Sequence, residues 1–176
     1  PTRLAVIGAG AIGRKHIEVI QHASDATLVA LADPSDQARK LATDLGVAWF
    51  ADVEEMLDEI RPDGVINATP NTLHVPCALA CVTRSIPVLV DKPVAESPER
   101  ARELVDAALA HNVPVLVGHH RRHNALTAAA KTLIDSGKLG NIVAVSAHWI
   151  LQKPEDYFEV SWRREPGAGP LLVNLV

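Results

Sequence analysis

Three glycines early in the chain, Gly8, Gly10 and Gly13, fit the spacing G-x-G-x-x-G, and Asp33 follows twenty residues after the last of them. Each position has a chemical reason. Gly8 permits a tight turn, Gly10 lets a pyrophosphate touch the backbone, and Gly13 lets a helix and a strand approach closely. Ala11 and Ile12 complete the loop at the start of that helix, where free amides and the helix dipole meet phosphate charge. Asp33 ends an apolar run, which places its carboxylate to accept hydrogen bonds from an adenosine ribose. An isolated glycine match would be weak, since a bare strand-to-helix turn binds nothing. Here an apolar run (4–7) enters the motif, a helix-like run (11–21) leaves it, and a second apolar run (28–32) leads to the acid. Together they read as a dinucleotide site.

Further reactive side chains fall in three short segments. Thr69-Pro70-Asn71 follows an apolar run and His74 opens the next helical one. This loop reads either as an ordinary polar turn or as a wall beside the nicotinamide ribose, with His74 either capping the turn or lining the site. Lys92 follows the apolar run 88–90 and is held by Pro93, so its ammonium is directed to a cleft instead of into solvent. Asp91 reads as a structural partner for that loop and not as a base. Arg121 and Arg122 read as a clamp for cofactor or substrate oxygens, with Arg122 the better placed, or as a solvated basic patch. His119, His120 and His123 cluster beside them, but adjacent histidines on an extended segment point to opposite faces, and no carboxylate or cysteine lies near in sequence, so no metal site is expected. Cys77 and Cys81, four apart on a predicted helix, read as structural thiols on one face.

The elements that must position these residues alternate along the chain. Apolar runs at 4–7, 28–32, 48–50, 64–68, 87–90 and 113–117 predict strands, and the segments 11–21, 35–45, 53–60, 74–83 and 98–111 between them predict helices. Ser97 followed by Pro98 and Glu99 is a helix start, with a capping oxygen and proline in the first turn. Short alternating β and α segments predict an α/β fold: a doubly wound parallel sheet of the Rossmann type. Ligands in such sheets collect beyond the carboxyl ends of the strands, where the glycine loop, Asp33, the 69–74 segment, Lys92 and the 118–123 segment all fall. After Gly118 the pattern changes. A helix over 124–137 and a long strand over 142–150 predict the start of a second, α+β domain, giving 1–122 as the dinucleotide-binding domain and 123–176 as the incomplete beginning of another. The apolar stretch 171–176 stops without cap or turn, which predicts a continuation of the chain.

Composition narrows the function classes. Apolar residues are 48% of the 176 and aromatics only 3%, so the core is built from Val, Leu, Ile and Ala, as in sheets covered on both faces. Net charge is −4 and the isoelectric point about 6.1, which argues against nucleic-acid or anionic-membrane partners. No apolar stretch approaches the roughly 20 residues that span a bilayer. A cytoplasmic protein is the expectation.

The glycine fingerprint, Thr69-Pro70-Asn71 with His74, the Asp91-Lys92-Pro93 run, Arg121-Arg122 after the sixth strand, and the later Trp162-Arg163-Arg164 and Gly167-Ala168-Gly169-Pro170-Leu171-Leu172 occur together and in order. The chain thereby resembles the glucose–fructose oxidoreductase / inositol dehydrogenase / MocA-like family of NAD(P)-dependent oxidoreductases over nearly its whole length. That resemblance implies hydride transfer between a nicotinamide cofactor and a sugar, polyol or cyclitol alcohol. It puts Lys92 beside the reacting oxygen as the catalytic lysine and a cofactor contact, and Gly8, Gly10, Ala11, Ile12, Gly13, Asp33, Thr69, Pro70, Asn71 and His74 along the cofactor. Arg122, His120 and Asn174 fall toward the substrate, and the second domain supplies contacts between copies. Asp33 followed by Pro34 and Ser35 favours NAD, since an acid repels a 2′-phosphate; Arg39 on the next helix keeps NADP open.

Two departures stand out. Asp91 replaces the family's usual Glu, shortening the reach of the carboxylate. The family pattern Gly-Gly-Gly-x-Leu-x-Asp-x-Gly-x-His, laid on Gly167 onward, puts its Asp on Val173 and its histidine just past Val176, leaving Asn174 as the nearby polar side chain. The resemblance therefore implies the front portion of a longer dehydrogenase, inactive by itself. The alternative is a non-catalytic dinucleotide-binding module such as a redox sensor; a methyltransferase-like use of the glycine loop ranks third.

Overall fold

The computed structural model describes residues 1–146 together with His148, Ile150, Gln152, Tyr157 and Glu159. Strands β1 (Thr2–Ile7), β2 (Ala26–Ala32), β3 (Ala48–Phe50), β4 (Gly64–Asn67), β5 (Val88–Val90) and β6 (Val115–Val117) alternate with helices α1 (Ala11–His22), α2 (Asp36–Leu45), α3 (Val53–Ile60), α4 (Asn71–Thr83) and α5 (Pro98–His111). The six strands form one sheet in the order β3-β2-β1-β4-β5-β6, and every pairing is parallel. Chain order reverses between β1 and β4, so the loops leaving these two strands open a crevice at their carboxyl ends. The chain divides into two compact units, Pro1–Gly118 and the chain from His119 on.

Alternation along the strands builds the core on both faces. Ala5, Ile7, Ala30 and Ala32 join one buried cluster with Met56, Leu57, Val75 and Leu104. Val6 and Leu31, the residues between them, join a second cluster with Ile17, Ile20 and Ala42. Successive strand side chains point to opposite faces, so uninterrupted apolar runs are what a sheet covered on both sides requires. Helix ends follow local chemistry. The Ser35, Asp52 and Ser97 side chains accept from the amides of Ala38, Glu55 and Arg100, capping α2, α3 and α5.

Several expected boundaries move. Helix α4 begins at Asn71 and not at 74: Leu73 N donates to Pro70 O at 2.8 Å, closing a first turn directly after the proline. Prolines there carry no amide to lose from a first turn, so Pro70 starts the helix that a reading of proline as a breaker would delay. Strands β5 and β6 each start one residue after Pro87 and Pro114, whose carbonyls accept from Val65 and Val88 but which have no N–H to give.

In the second unit, His120–His123 form a 3-10 turn, with Arg122 N donating to His119 O at 2.9 Å, where an extended segment was expected. Adjacent histidines on a turn do not alternate between opposite faces as they would on an extended segment. Helix α6 (Ala125–Asp135) follows, capped by the Asn124 side chain on the Leu126 amide. The long strand expected over 142–150 does not form among its described residues; Val143, Val145 and Ile150 are almost fully exposed. A strand is held by a partner's ladder, and no described strand offers one to this segment. Ala147, Trp149 and the run from Trp162 to Val176, Asn174 included, lie outside the described residues.

Candidate dinucleotide and lysine site

The glycine loop is assembled by contact with the strands on either side of the crevice. Gly8 has φ +86°, and a Cβ there would meet the Ala68 carbonyl oxygen at 2.8 Å and the Thr69 nitrogen at 2.9 Å. At Gly13 a Cβ would stand 1.8 Å from the Gly8 carbonyl oxygen, so only glycine lets α1 pack on its own entry loop. Gly10 differs, because no protein atom lies within 4 Å of where its Cβ would be. Its lack of a side chain serves no internal packing and leaves a clear approach to the backbone. Gly10 is also the N-cap of α1, and no side chain caps that end. In the first turn Ala11 and Ile12 are exposed, so their amides stand at an open end of the helix with the positive end of its dipole. A pyrophosphate fits this cradle in both shape and charge.

Asp33 is bound into the same loop. Its Oδ2 accepts the Ala9 amide at 2.8 Å, and its Oδ1 accepts the Ser35 amide at 2.9 Å and the Ser35 hydroxyl at 2.6 Å. Burial pushes this carboxyl up, but the Ser35 hydroxyl, the Ala9 and Ser35 amides and the Arg14 charge outweigh it and hold the group below its usual value. Trp49 Nε1 donates to the Asp33 main-chain carbonyl at 3.0 Å, and the Arg39 guanidinium lies over the Trp49 ring, 5.2 Å from its centroid. Arg39 is thus engaged on the indole face.

Beyond β4 and β5 a buried polar network joins two loops. Asn67, fully buried at the end of β4, donates from Nδ2 to the His74 carbonyl at 2.9 Å, while its Oδ1 accepts the Thr69 hydroxyl at 2.7 Å and the Thr69 amide at 3.3 Å. His74, 1% exposed, places Nε2 2.9 Å from the Thr69 carbonyl and Nδ1 2.6 Å from the Pro93 carbonyl. Leaving one such buried group without a partner costs about 1–3 kcal/mol, so this network decides how the loops sit. The Lys92 amide donates to Asp91 Oδ1 at 2.8 Å, and the Lys92–Pro93 peptide is cis. Gly118 closes the far side of this loop, since a Cβ there would stand 3.0 Å from Asp91 Oδ1. Asp91 thus holds its own loop, as the sequence suggests. Asn71, 5% exposed at the start of α4, has an Nδ2 with no hydrogen-bond partner among the described residues, a buried donor that a ligand acceptor would satisfy.

The structure thus brings Gly8, Gly10, Ala11, Ile12, Gly13 and Asp33 into one cradle and links Thr69, Pro70, Asn71, His74 and Lys92 through adjoining loops. His120 and Arg122 belong to the second unit, on its first turn. Asn67 and Trp49 escape the sequence reading, Asn67 lying as one polar residue within the apolar run 64–68, and Ser35 enters it only as the residue after Asp33 and Pro34. Cys77 and Cys81 are inert companions of the site: burial pushes Cys77 up to about 11, against a hydrogen bond with Thr69, and Cys81 up to about 12. Among the described residues no group of three or more His, Cys, Asp or Glu is gathered as a metal would need, and no helix is long and apolar enough to cross a membrane.

Comparison with known proteins agrees with this geometry. Residues 2–119 match the family model for the GFO_IDH_MocA oxidoreductase family with an NAD-binding Rossmann fold. The chain is 29% identical over 171 residues to the rhizopine catabolism protein MocA of Rhizobium meliloti, covering 97% of this chain and 52% of that one. It is 32% identical over 176 residues to D-glucoside 3-dehydrogenase of Escherichia coli K12, covering 98% and 50%. Among solved structures, the WlbA dehydrogenase of Bordetella pertussis, determined with NADH and UDP-GlcNAcA, matches with a TM-score of 0.75 and 29% identity over 79% of this chain and 43% of that one. The chain spans about half the length of the curated relatives it matches. With the fingerprint in its crevice and the family model matched across the whole first unit, this chain belongs to the GFO_IDH_MocA family of oxidoreductases with an NAD-binding Rossmann fold.

Proposed function

We propose that this chain is the cofactor-binding part of an oxidoreductase that oxidises a secondary alcohol of a sugar, polyol or cyclitol, with NAD as the preferred cofactor. One observation carries the reading. The glycine loop packs against Ala68 and Thr69, and His74 ties Thr69 to the lysine loop, so the dinucleotide cradle and Lys92 share one end of the sheet. When bound, the nicotinamide supplies the hydride acceptor. The chain's own residues bind and orient. Gly10 and the α1 amides take the pyrophosphate, Asp33 the adenosine ribose, and Asn71 Nδ2 an acceptor on the nicotinamide side. Lys92 Nζ hydrogen-bonds the substrate oxygen and stabilises the negative charge that builds on it as the hydroxyl proton passes to a water base.

Two features support NAD. Asp33 keeps its negative charge where a 2′-phosphate would stand, with the Arg14 charge acting on Asp33 itself, and the Arg39 guanidinium is engaged over Trp49. Arg122, His120 and Asn174 belong to this reading as substrate contacts, carried over from the family resemblance alone. The same reading includes self-association through the chain after residue 122 and a cytoplasmic location. Its test is reduction of NAD by the purified natural protein against a panel of aldoses, glucosides and inositols. Cofactor binding without turnover on any of them would favour the non-catalytic module instead.

A further inference from the structure

We propose that His74 is a positioning residue for Lys92, a two-ended brace that sets the spacing between the nicotinamide-side loop and the lysine loop. The inference rests on the proposed function for the role of Lys92, and on geometry for everything else. Both ring nitrogens are engaged by main-chain oxygens, Nε2 at Thr69 and Nδ1 at Pro93, and the ring is 1% exposed. Both nitrogens face main-chain oxygens, which only accept, so the ring is turned to the protein and presents neither nitrogen to a cofactor. Of the two sequence expectations, capping the turn and lining the site, this contact with Thr69 is the nearer to the first.

Lys92 lies between two fixed points. Before it, Asp91 N donates to Asn67 O at 3.0 Å, and Asp91 Oδ1 receives the Lys92 amide at 2.8 Å. After it, the Pro93 carbonyl is 2.6 Å from His74 Nδ1. Asn67 anchors both ends of the brace, because its side chain holds Thr69 and the His74 carbonyl while its own carbonyl holds Asp91. One buried asparagine and one buried histidine therefore join β4, the first turn of α4 and the β5 loop into a single hydrogen-bonded unit. A displacement of about 1 Å at a reacting group can cost on the order of 100-fold in rate, which is the reason to fix such a loop with side chains that touch no ligand.

The two nitrogens allow a graded test, because an Asn amide overlaps the Nδ1 side of histidine and a Gln amide the Nε2 side. H74N retains a donor toward Pro93, H74Q only one toward Thr69, and H74L neither. In the natural protein, hydrogen exchange of the amides over 92–95 should quicken in H74Q and H74L and stay nearer the parent in H74N. NADH affinity should stay within about twofold in all three. The kcat should fall about 10- to 100-fold in H74Q, with H74N rescuing most of that loss and KM for substrate changing less than kcat. Equal exchange in H74N and H74Q, or a loss of NADH affinity that parallels the loss of kcat, would overturn the brace in favour of a fold-wide or cofactor-binding role. Should the variants not fold, the unaltered protein decides: a His74 ring N–H that exchanges as fast as that of free histidine contradicts the brace, and a slowly exchanging one supports it. A parent that binds no NADH and oxidises no polyol would overturn the proposed function, while the exchange measurements would still decide the brace.

Discussion

The Asp33 carboxylate accepts the amide of Ala9 at 2.8 Å, joining the tip of β2 to the middle of the glycine loop across 24 residues of sequence. Ser35 fills the other oxygen with two donors. A carboxylate offers about four lone-pair positions, so a single direction, on Oδ2, stays open to a ribose hydroxyl. Asp33 therefore shapes the loop in addition to the ribose contact proposed for it. Replacing it with Ala should weaken NADH binding by roughly 10- to 100-fold, as expected for loss of a hydrogen bond to a charged group. Fluorescence titration of NADH and NADPH checks this, and the preference for NADH over NADPH should shrink.

The same contacts set an acid limit on stability. The folded Asp33 carboxyl lies below its ordinary 3.8. A carboxyl depressed by folding contributes stability that is fully present above the unfolded value and is lost as pH falls through the lower folded value. Chemical denaturation of the parent and D33N should therefore show D33N less stable at pH 7, with the gap closing only as pH drops below 3.8.

Gly10 and Gly13 separate binding from folding. The Cβ of G13A would stand 1.8 Å from the Gly8 carbonyl oxygen, so that variant should lose folded structure. G10A meets no protein atom within 4 Å and loses only a capping glycine, about 1 kcal/mol or less. A methyl in the phosphate path overpacks a bound cofactor by about 1–3 kcal/mol, a 5- to 150-fold loss of affinity. Thermal unfolding should show a folded G10A and a G13A without a native transition, while NADH titration weakens in both.

The paired thiols should be silent. With Cys77 raised to about 11 and Cys81 to about 12, both are protonated at neutral pH. Mass spectrometry after iodoacetamide at pH 7.5 should find the native protein unmodified and the denatured protein alkylated twice.

Much of this site could be read from the chain because its pieces are local. The glycine spacing, the strand before it and Asp33 after it obey one βαβ unit, where each residue's job follows from its distance to the next. Ser97-Pro98 marks the start of α5 for the same reason. The brace could not be read that way. Asn67 and His74 act through Thr69 and Pro93 carbonyls contributed by different loops, and sequence separation hides which carbonyl a buried ring will meet. Helix α4 shows the same limit: the polar segment 69–71 reads as a loop until the Pro70 carbonyl is seen closing the first turn. The segment 142–150 alternates like a strand, yet alternation supplies only a face and not a partner to pair with.

The central claim is that Lys92 does chemistry on an alcohol beside a bound nicotinamide. The most direct test is NAD reduction by the natural protein and by K92M across the aldose, glucoside and inositol panel, with NADH affinity measured on both. The parent should turn over at least one polyol, with a loss of about 100-fold or more in K92M and NADH affinity nearly unchanged. Equal turnover in K92M, or NADH binding with no turnover by the parent on any alcohol, would contradict it.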